Sequence, residues 1–441
     1  MSVAMDFVED RLGEWIEFRR DLHRHPELGF TEYRTQARIA ERLEALGYRL
    51  RLGCEVMREE EMLGLPSSPA LACAREAALA SGARSDLVRR MGDGMTGLVA
   101  ELSSGNGPVI AVRFDVDALP LGEARNDRHR PHRLGFASKH DGRMHACGHD
   151  GHATIGIAFA EIAAREPRSW SGTLRLVFQP AEEGGRGAWP MVAAGVVDDV
   201  DLFLALHLGC DLSSRKVAVS ASDMMFSSKW DIHFEGRSAH ASGNPEEGRN
   251  ALLAAAQATT LLYALPRHGR FATQVNVGRL NAGSARNIIA NSAGMEIEIR
   301  GGAEEALEHM EKRARSALEG IALAQGCEMT LREMGRTIGE ASSAKAMDFV
   351  RRAAKSMDAF DEVRDSWPLG GGDDAAYFMR RVKERGGEAA YFILGSDLAG
   401  GHHATTFDFE EADIARGARL LLTALELASA HINSITTTHV K

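Results

Sequence analysis

Residues 173–185 read TLRLVFQPAEEGG, an apolar run that stops at a proline, two adjacent glutamates and two glycines. A short continuous apolar run closed by turn residues predicts a strand buried on both faces. The same pattern recurs in PVIAVRFDVDALP (108–120), VDLFLALHLG (200–209) and EAAYFILGSDLAGGHH (388–403). Helix-like stretches separate these runs, among them HATIGIAFAEIAARE (152–166) and ALLAAAQATTLLYAL (251–265). Apolar strands alternating with helices predict an α/β fold with a mostly parallel sheet covered on both faces. Upstream, residues 5–48 read as a helix, the loop HRHPELGF (23–30) and a second helix. Residues 54–95 are rich in Ala, Arg and Glu and interrupted by Pro66 and Pro69, which predicts an inserted helical segment.

Between about 225 and 335 the rhythm changes. The order there is strand (SKWDIHFEG, 228–236), helix (247–265), strand (FATQVNVGRL, 271–280), strand (SAGMEIEIRG, 292–301), helix (304–325), strand (CEMTLREM, 327–334). That β-α-β-β-α-β order is the split ferredoxin-like motif. It predicts an α+β domain over 223–335, set into a larger α/β domain made of 1–222 and 336–441.

The 441-residue length suits two or three domains. The 44% apolar and 26% charged composition is that of a globular protein. A net charge of −10 with no basic run argues against nucleic acid as partner, and no apolar stretch is long enough for a membrane helix. The opening MSVAMDFVEDRLGEWIEF carries early acids and lacks an apolar signal core. Five scattered cysteines are the usage of a reduced compartment. The expectation is a cytoplasmic protein in which Cys54, Cys73, Cys210 and Cys327 are small hydrophobes.

Six of the 17 histidines crowd into residues 129–152, several times their even share. The centre of the crowd is MHACGHDGH (144–152), where Cys147 and His149 can converge in a turn entering a helix. A thiolate and an imidazole suit a borderline transition metal, although exposed loop histidines or a nucleophilic Cys147 would also fit the spacing. Glu182 and Glu183 are adjacent on extended chain, so one can bind metal while the other faces a water. Asp115 and Asp117, the glutamate pair, His207, and His402 with His403 each follow a separate predicted strand. Ligands of open α/β sheets bind beyond the carboxyl ends of the strands, so the set points to one or two divalent metal ions.

The ordered motifs RRDLHRHPELGF, RFDVDALP, MHACGHDGH, VFQPAEEGG, LHLG, SAHAS, RNIIANSAG and GHHATTFDFEE resemble those of the M20 metallopeptidases over nearly the whole chain. They match the amidohydrolase branch that cleaves N-acyl, hippuryl and indoleacetyl amino acids, and within it the group acting on p-aminobenzoyl-glutamate. The resemblance implies a dimetal catalytic domain, loaded with Zn2+ or Mn2+, and a ferredoxin-like lid through which the chain forms a homodimer or meets a homologous second subunit. It implies a small N-acyl amino acid as substrate, p-aminobenzoyl-glutamate before alternatives such as indoleacetyl-aspartate. Carried over by position, it makes Cys147, His149, Glu183, His207 and His403 the metal ligands and Glu182 the general base. His403 is preferred to His402 because it stands four residues before Phe407. His240 becomes the lid histidine that meets the oxyanion, and Asn287 and Arg300 the lid groups that hold substrate. Asp115 and Asp117, lacking the His-x-Asp pattern, become orienting groups behind the ligands. His23, His25, His129, His132 and His140 are left as structural or rim residues, and Asp373 stands where relatives carry Glu.

Overall fold

The computed structural model describes residues 2–438. Four strands at the centre of an eight-stranded sheet run parallel, in the order Gly172–Gln179, Val109–Asp115, Leu202–Leu208, Glu388–Leu394. They are the apolar runs of the sequence, and Leu202–Leu208 has no exposed position. Their registers align the carboxyl ends: Asp115 lies opposite Gln179, and His207 opposite Ile393. Every acid- or histidine-bearing turn therefore leaves the same edge of the sheet.

The flanks depart from the parallel expectation. Leu98–Ser104 and Arg49–Leu52 add antiparallel strands at one edge, and Lys216–Ala218 runs antiparallel to Glu388–Leu394 at the other. The sheet is mixed because only the central strands need both faces dry. One face is covered by Ser2–Arg24, Tyr33–Ala45, His149–Arg165, Ala344–Lys355 and Asp413–Thr438, the other by Ala188–Ala193 and Ala375–Glu384. The predicted 54–95 insertion contains the helices Ser68–Ala80 and Ser85–Arg90, preceded by two single 3-10 turns. Cys54 and Cys73 are exposed on it, which corrects their reading as small hydrophobes. Among the described residues, no helix is long and apolar enough to cross a membrane.

The inserted segment folds as its strand order predicts. Phe226–Glu235, Thr273–Ala282, Ser292–Gly301 and Glu328–Thr337 form an antiparallel four-stranded sheet, and Ala251–Tyr263 and Glu304–Gln325 cover one face. The first of these helices starts later than the sequence indicated, because residues 245–247 form a separate 3-10 turn. The last strand continues to Thr337 and presses on the turn that carries Glu182 and Glu183: Arg336 N donates to Gly185 O at 2.9 Å. Trp230, Ile232 and Phe234 enter the helix-covered core. Strand alternation therefore turns Ser227 and Lys229 to the open face, above the edge where the central strands end.

Gly156, in the helix His149–Arg165, has no room for a side chain: a Cβ there would lie 2.8 Å from Phe114 and Phe178 ring atoms. Gly13, in the first helix, faces nothing within 4 Å. Gly156→Val should destabilise the fold by an overpacking cost of about 1–3 kcal/mol, read as a lower urea midpoint. Gly13→Ala should leave the stability unchanged or raise it by up to about 1 kcal/mol. Equal midpoints for Gly156→Val and the parent would contradict this close approach.

Candidate metal centre

Each imidazole near the strand ends has its tautomer set by what its inner nitrogen meets. His149 Nδ1 donates to the carbonyl oxygen of Asp117 at 2.9 Å, and His207 Nδ1 donates to that of Leu208 at 2.9 Å. A carbonyl cannot donate, so both rings carry their proton on Nδ1 and aim Nε2 outward. His149 Nε2 is buried and has no hydrogen-bond partner; His207 Nε2 stands 3.5 Å from Cys147 Sγ. Ligating histidines are commonly oriented in this way by a second group.

Donor atoms from Cys147, His149 and His207 lie within 4.8 Å of one another, as do those from Cys147, Glu183 and His403. Glu183 Oε1 is buried without a partner 3.5 Å from His403 Nε2. Cys147 belongs to both groups. The charge balance also fits a cation. Burial disfavours charge on His149, yet Asp115, 3.7 Å from its Nε2, raises its affinity for a proton. Burial and Glu183 push the Cys147 thiol well above its usual range, so thiolate needs a positive neighbour. Burial and the nearby His152 and His402 hold His207 neutral. The donor set therefore fits one or two soft-to-borderline divalent ions.

The turns are built to hold these groups still. Asp117 accepts from the backbone N–H of Glu182 at 3.1 Å and of Glu183 at 3.0 Å, fixing the glutamate pair while its own carbonyl fixes His149. Ala181 adopts a left-handed φ of 48°, and its N–H donates to Glu32 Oε1 at 2.8 Å. Glu32, just beyond the HPELGF loop, thus supports the strained turn, a role the sequence reading missed. Asp115 does not touch a candidate ligand at hydrogen-bond distance. It bonds His152 Nδ1 at 2.5 Å and the buried Arg113 at 2.6 Å. His152 Nε2 accepts from Leu208 N, so both of its nitrogens are engaged.

His402 and His403 both line the cleft. His402 Nε2 accepts from Cys210 N at 3.0 Å, which leaves its proton on Nδ1, facing Cys147 Sγ at 3.7 Å. A protonated nitrogen is no ligand, so the hydrogen bonding favours His403. Asp373 binds Arg113 and the Tyr391 hydroxyl and also lines the cleft. Cys210, expected to be a plain hydrophobe, lines it too, its Sγ 3.4 Å from His207 Nδ1. Of the histidines left aside, His23 and His129 are buried on Glu123, at 3.0 and 2.7 Å.

The cleft has a volume of about 380 Å³ and is roofed by the inserted domain through Ser227, Lys229, Glu298, Arg300 and Thr337. Arg300, a substrate-holding group by the resemblance, lines the cleft beside Lys229, to which the sequence patterns assign no role. Within one chain, His240 and Asn287 are not among the cleft-lining residues. They lie together, exposed, with Ala241 N donating to Asn287 O at 3.0 Å. His240 Nδ1 accepts from Gly243 N at 2.9 Å, which places the ring proton on Nε2.

Residues 111–427 match the model of peptidase family M20/M25/M40, and the chain belongs to this family. It is 41% identical to indole-3-acetyl-aspartic acid hydrolase of Enterobacter agglomerans, covering 96% of this chain and 98% of the relative. It is 42% identical to one of the subunits of p-aminobenzoyl-glutamate hydrolase from Escherichia coli, covering 94% of this chain and 96% of that relative. Among solved structures, an aminobenzoyl-glutamate utilization protein from Klebsiella pneumoniae superposes with a TM-score of 0.83 at 34% identity, covering 96% of this chain and 98% of the other. A Bacillus subtilis dinuclear metal-binding peptidase of the M20 family does so with a TM-score of 0.65 at 25% identity, covering 96% and 99%.

Replacing Cys147 by Ser exchanges an anionic ligand for a neutral hydroxyl. Cys147→Ser should bind at least one equivalent of Zn2+ or Mn2+ less tightly, read by metal analysis after dialysis. Unchanged stoichiometry and affinity would remove Cys147 from the ligand set.

Proposed function

We propose that this chain hydrolyses the amide bond of an N-acyl amino acid, with p-aminobenzoyl-glutamate cleaved to p-aminobenzoate and glutamate. Indoleacetyl-aspartate is the alternative, favoured by a relative as similar as the aminobenzoyl-glutamate enzyme. The observation that carries the reading is the pair of buried imidazoles, His149 and His207, whose outer nitrogens converge with Cys147 beside two glutamates. In this reading Cys147, His149, Glu183, His207 and His403 hold two divalent ions, Zn2+ or Mn2+. Bound there, such ions lower the pKa of water from ~16 toward ~7 and polarise a scissile carbonyl.

Glu182 is the base. Its Oε2 stands 3.9 Å from His149 Nε2, and its backbone is pinned by Asp117. Burial, Asp373 and Glu183 raise its pKa well above that of a free glutamate, so it can take a proton from the attacking water and return it to the departing amine. The same burial argues against Cys147 as nucleophile, since an attacking cysteine needs a lowered pKa and this thiol has a raised one. Asp115 and Asp117 act from behind, holding His152 and His149. Arg300 offers a planar fork for the substrate's α-carboxylate.

His240, with its proton on the outward Nε2, is a ready donor to a developing oxyanion. Its exposure away from its own cleft favours delivery to the cleft of a second chain, in a homodimer formed through residues 223–335 or in a pair with a homologous partner. Asn287, beside it, would hold the substrate from the same side. Residues 1–222 and 336–441 form the catalytic domain on this reading, and the protein works in the cytoplasm.

Purified chain supplied with Mn2+ or Zn2+ should cleave p-aminobenzoyl-glutamate with a higher kcat/KM than p-aminobenzoyl-aspartate or indoleacetyl-aspartate, and EDTA should abolish turnover. Turnover that survives chelation would overturn metal dependence. Cleavage of none of the three, by the chain alone or with a homologous second subunit, would overturn the substrate class.

His240→Ala should lower kcat by roughly 10²–10³ with little change in KM, as expected of a donor that acts in the transition state. Mixing it with inactive Glu182→Gln chains should restore activity, because one site of each mixed dimer receives both intact groups. No rescue in demonstrated heterodimers would exclude sharing between chains, and a near-normal kcat would remove His240 from the reaction.

A further inference from the structure

The floor of the cleft is acidic: Glu182, Glu183 and Asp373 all line it. A substrate carrying carboxylates enters against that field, so cations must come from elsewhere. Among the described residues lining the cleft, Lys229 and Arg300 are the only lysine or arginine, and both hang from the roof. They sit on neighbouring strands, with Lys229 opposite Glu298 and Arg300 opposite Ser227. Diagonal neighbours of this kind stand ~7–8 Å apart, close enough for two carboxylates of one small molecule.

Glu298 is shared between the two cations. Arg300 Nε donates to Glu298 Oε2 at 2.9 Å, whereas Lys229 Nζ is 3.6 Å from Oε1, beyond a hydrogen bond. Lys229 Nζ donates to Ser227 Oγ at 3.2 Å, and an ammonium has three hydrogens to give. One carboxylate between two cations leaves a net positive charge facing the cleft. The Lys229 side chain retains 29% of its exposure, and burial pulls its pKa down, so the amine lacks part of its hydration. An arriving anion would restore what the fold removed.

We infer that Lys229 is a specificity-determining residue, which reads the side-chain carboxylate of a dicarboxylic amino acid while Arg300 holds the α-carboxylate. The inference rests on the amidohydrolase reading above and says which group in the cleft selects N-acyl derivatives of glutamate or aspartate. An amino acid with a neutral side chain gives Lys229 no counter-charge and is bound less well.

N-Benzoyl-glutamate and N-benzoyl-glutamine differ only in this group and serve as the probe pair. The parent chain should prefer the glutamate compound in kcat/KM. Lys229→Met should lower that preference by about 10–100-fold, the worth of one charge-assisted hydrogen bond, mainly through KM and with benzoyl-glutamine changed less than about threefold. Calorimetric binding to chains carrying Glu182→Gln, which do not turn over, should show the same selective loss. An equal loss on both compounds would mean that Lys229 acts on Glu182 or on packing and would overturn the inference, as would an unchanged ratio. Should Lys229→Met fail to fold by circular dichroism, Glu298→Gln decides the matter. Removing the shared acid should raise the glutamate preference severalfold, and an unaltered preference counts against Lys229. Failure of the parent to cleave any N-acyl amino acid would bring down the functional reading itself, whereas cleavage with selectivity independent of Lys229 brings down this inference alone.

Discussion

Arg113 is wholly buried beneath the cleft and faces three carboxylates, Asp115, Asp373 and Asp374, at 2.6 to 3.3 Å. One cation against three anions leaves the interior negative, and Asp117, Glu182 and Glu183 lie just above. Buried charge of one sign is costly unless it is neutralised. The fold answers partly with protons: burial raises Asp374 to about 7, and burial together with Asp117 raises Glu32 to about 8. What remains is a field directed at His149, Cys147 and Glu183, where a divalent ion has the sign and the donor atoms to complete the balance. The anionic interior is thus the constraint around which the rest of the site is arranged.

A second buried network ties this site to the chain's two ends. Arg19, on the first helix, pairs with Asp150 at 2.8 Å, with Asp408 at 2.9 Å and with Glu411 at 3.3 Å. Asp150 follows His149, and Asp408 and Glu411 follow the turn that carries His403. Three segments far apart in sequence therefore share one guanidinium, and His23, Arg130 and Arg20 add second partners to Asp150, Asp408 and Glu411. Rigid placement of that kind is what a metal centre requires of its ligands.

The sequence was legible where physics repeats itself. Continuous apolar runs gave the four central strands, and the order strand, helix, strand, strand, helix, strand gave the inserted sheet. The short flanking strands left no such pattern: Lys216–Ala218 and Glu362–Arg364 have three residues each. His207, Glu182 and Glu183 follow strand ends in the sequence and Cys147 and His149 enter a helix, and the fold brings the five together. The preference for His403 over His402 came from its place four residues before Phe407, and the hydrogen bond from Cys210 N to His402, which spacing cannot reveal, favours the same residue. Lys229 was half legible. Alternation with Trp230, Ile232 and Phe234 sends it to the open face, but only the docking of Gly335 and Arg336 on Gly184 and Gly185 decides that this face roofs the cleft.

That docking also bears on why the inserted domain carries two kinds of group. A Cβ on Gly335 would stand 2.1 Å from Gly184 O, so the last lid strand reaches the turn beside Glu182 and Glu183 only because no side chain intervenes. The contact fixes the near end of the lid sheet, with Ser227, Lys229 and Arg300, at a set height above the acids. His240 and Asn287 occupy an exposed part of the same domain, free of that contact. On the proposed reading the domain presents charge to its own cleft from its sheet and a donor, His240, from the loop after Phe226–Glu235, which separates recognition of the substrate's carboxylates from stabilisation of the reacting carbonyl. Binding that is equally strong before and during reaction does not raise kcat, so on the proposed reading the cations that hold the substrate's carboxylates serve KM, and a donor that meets only the oxyanion serves kcat.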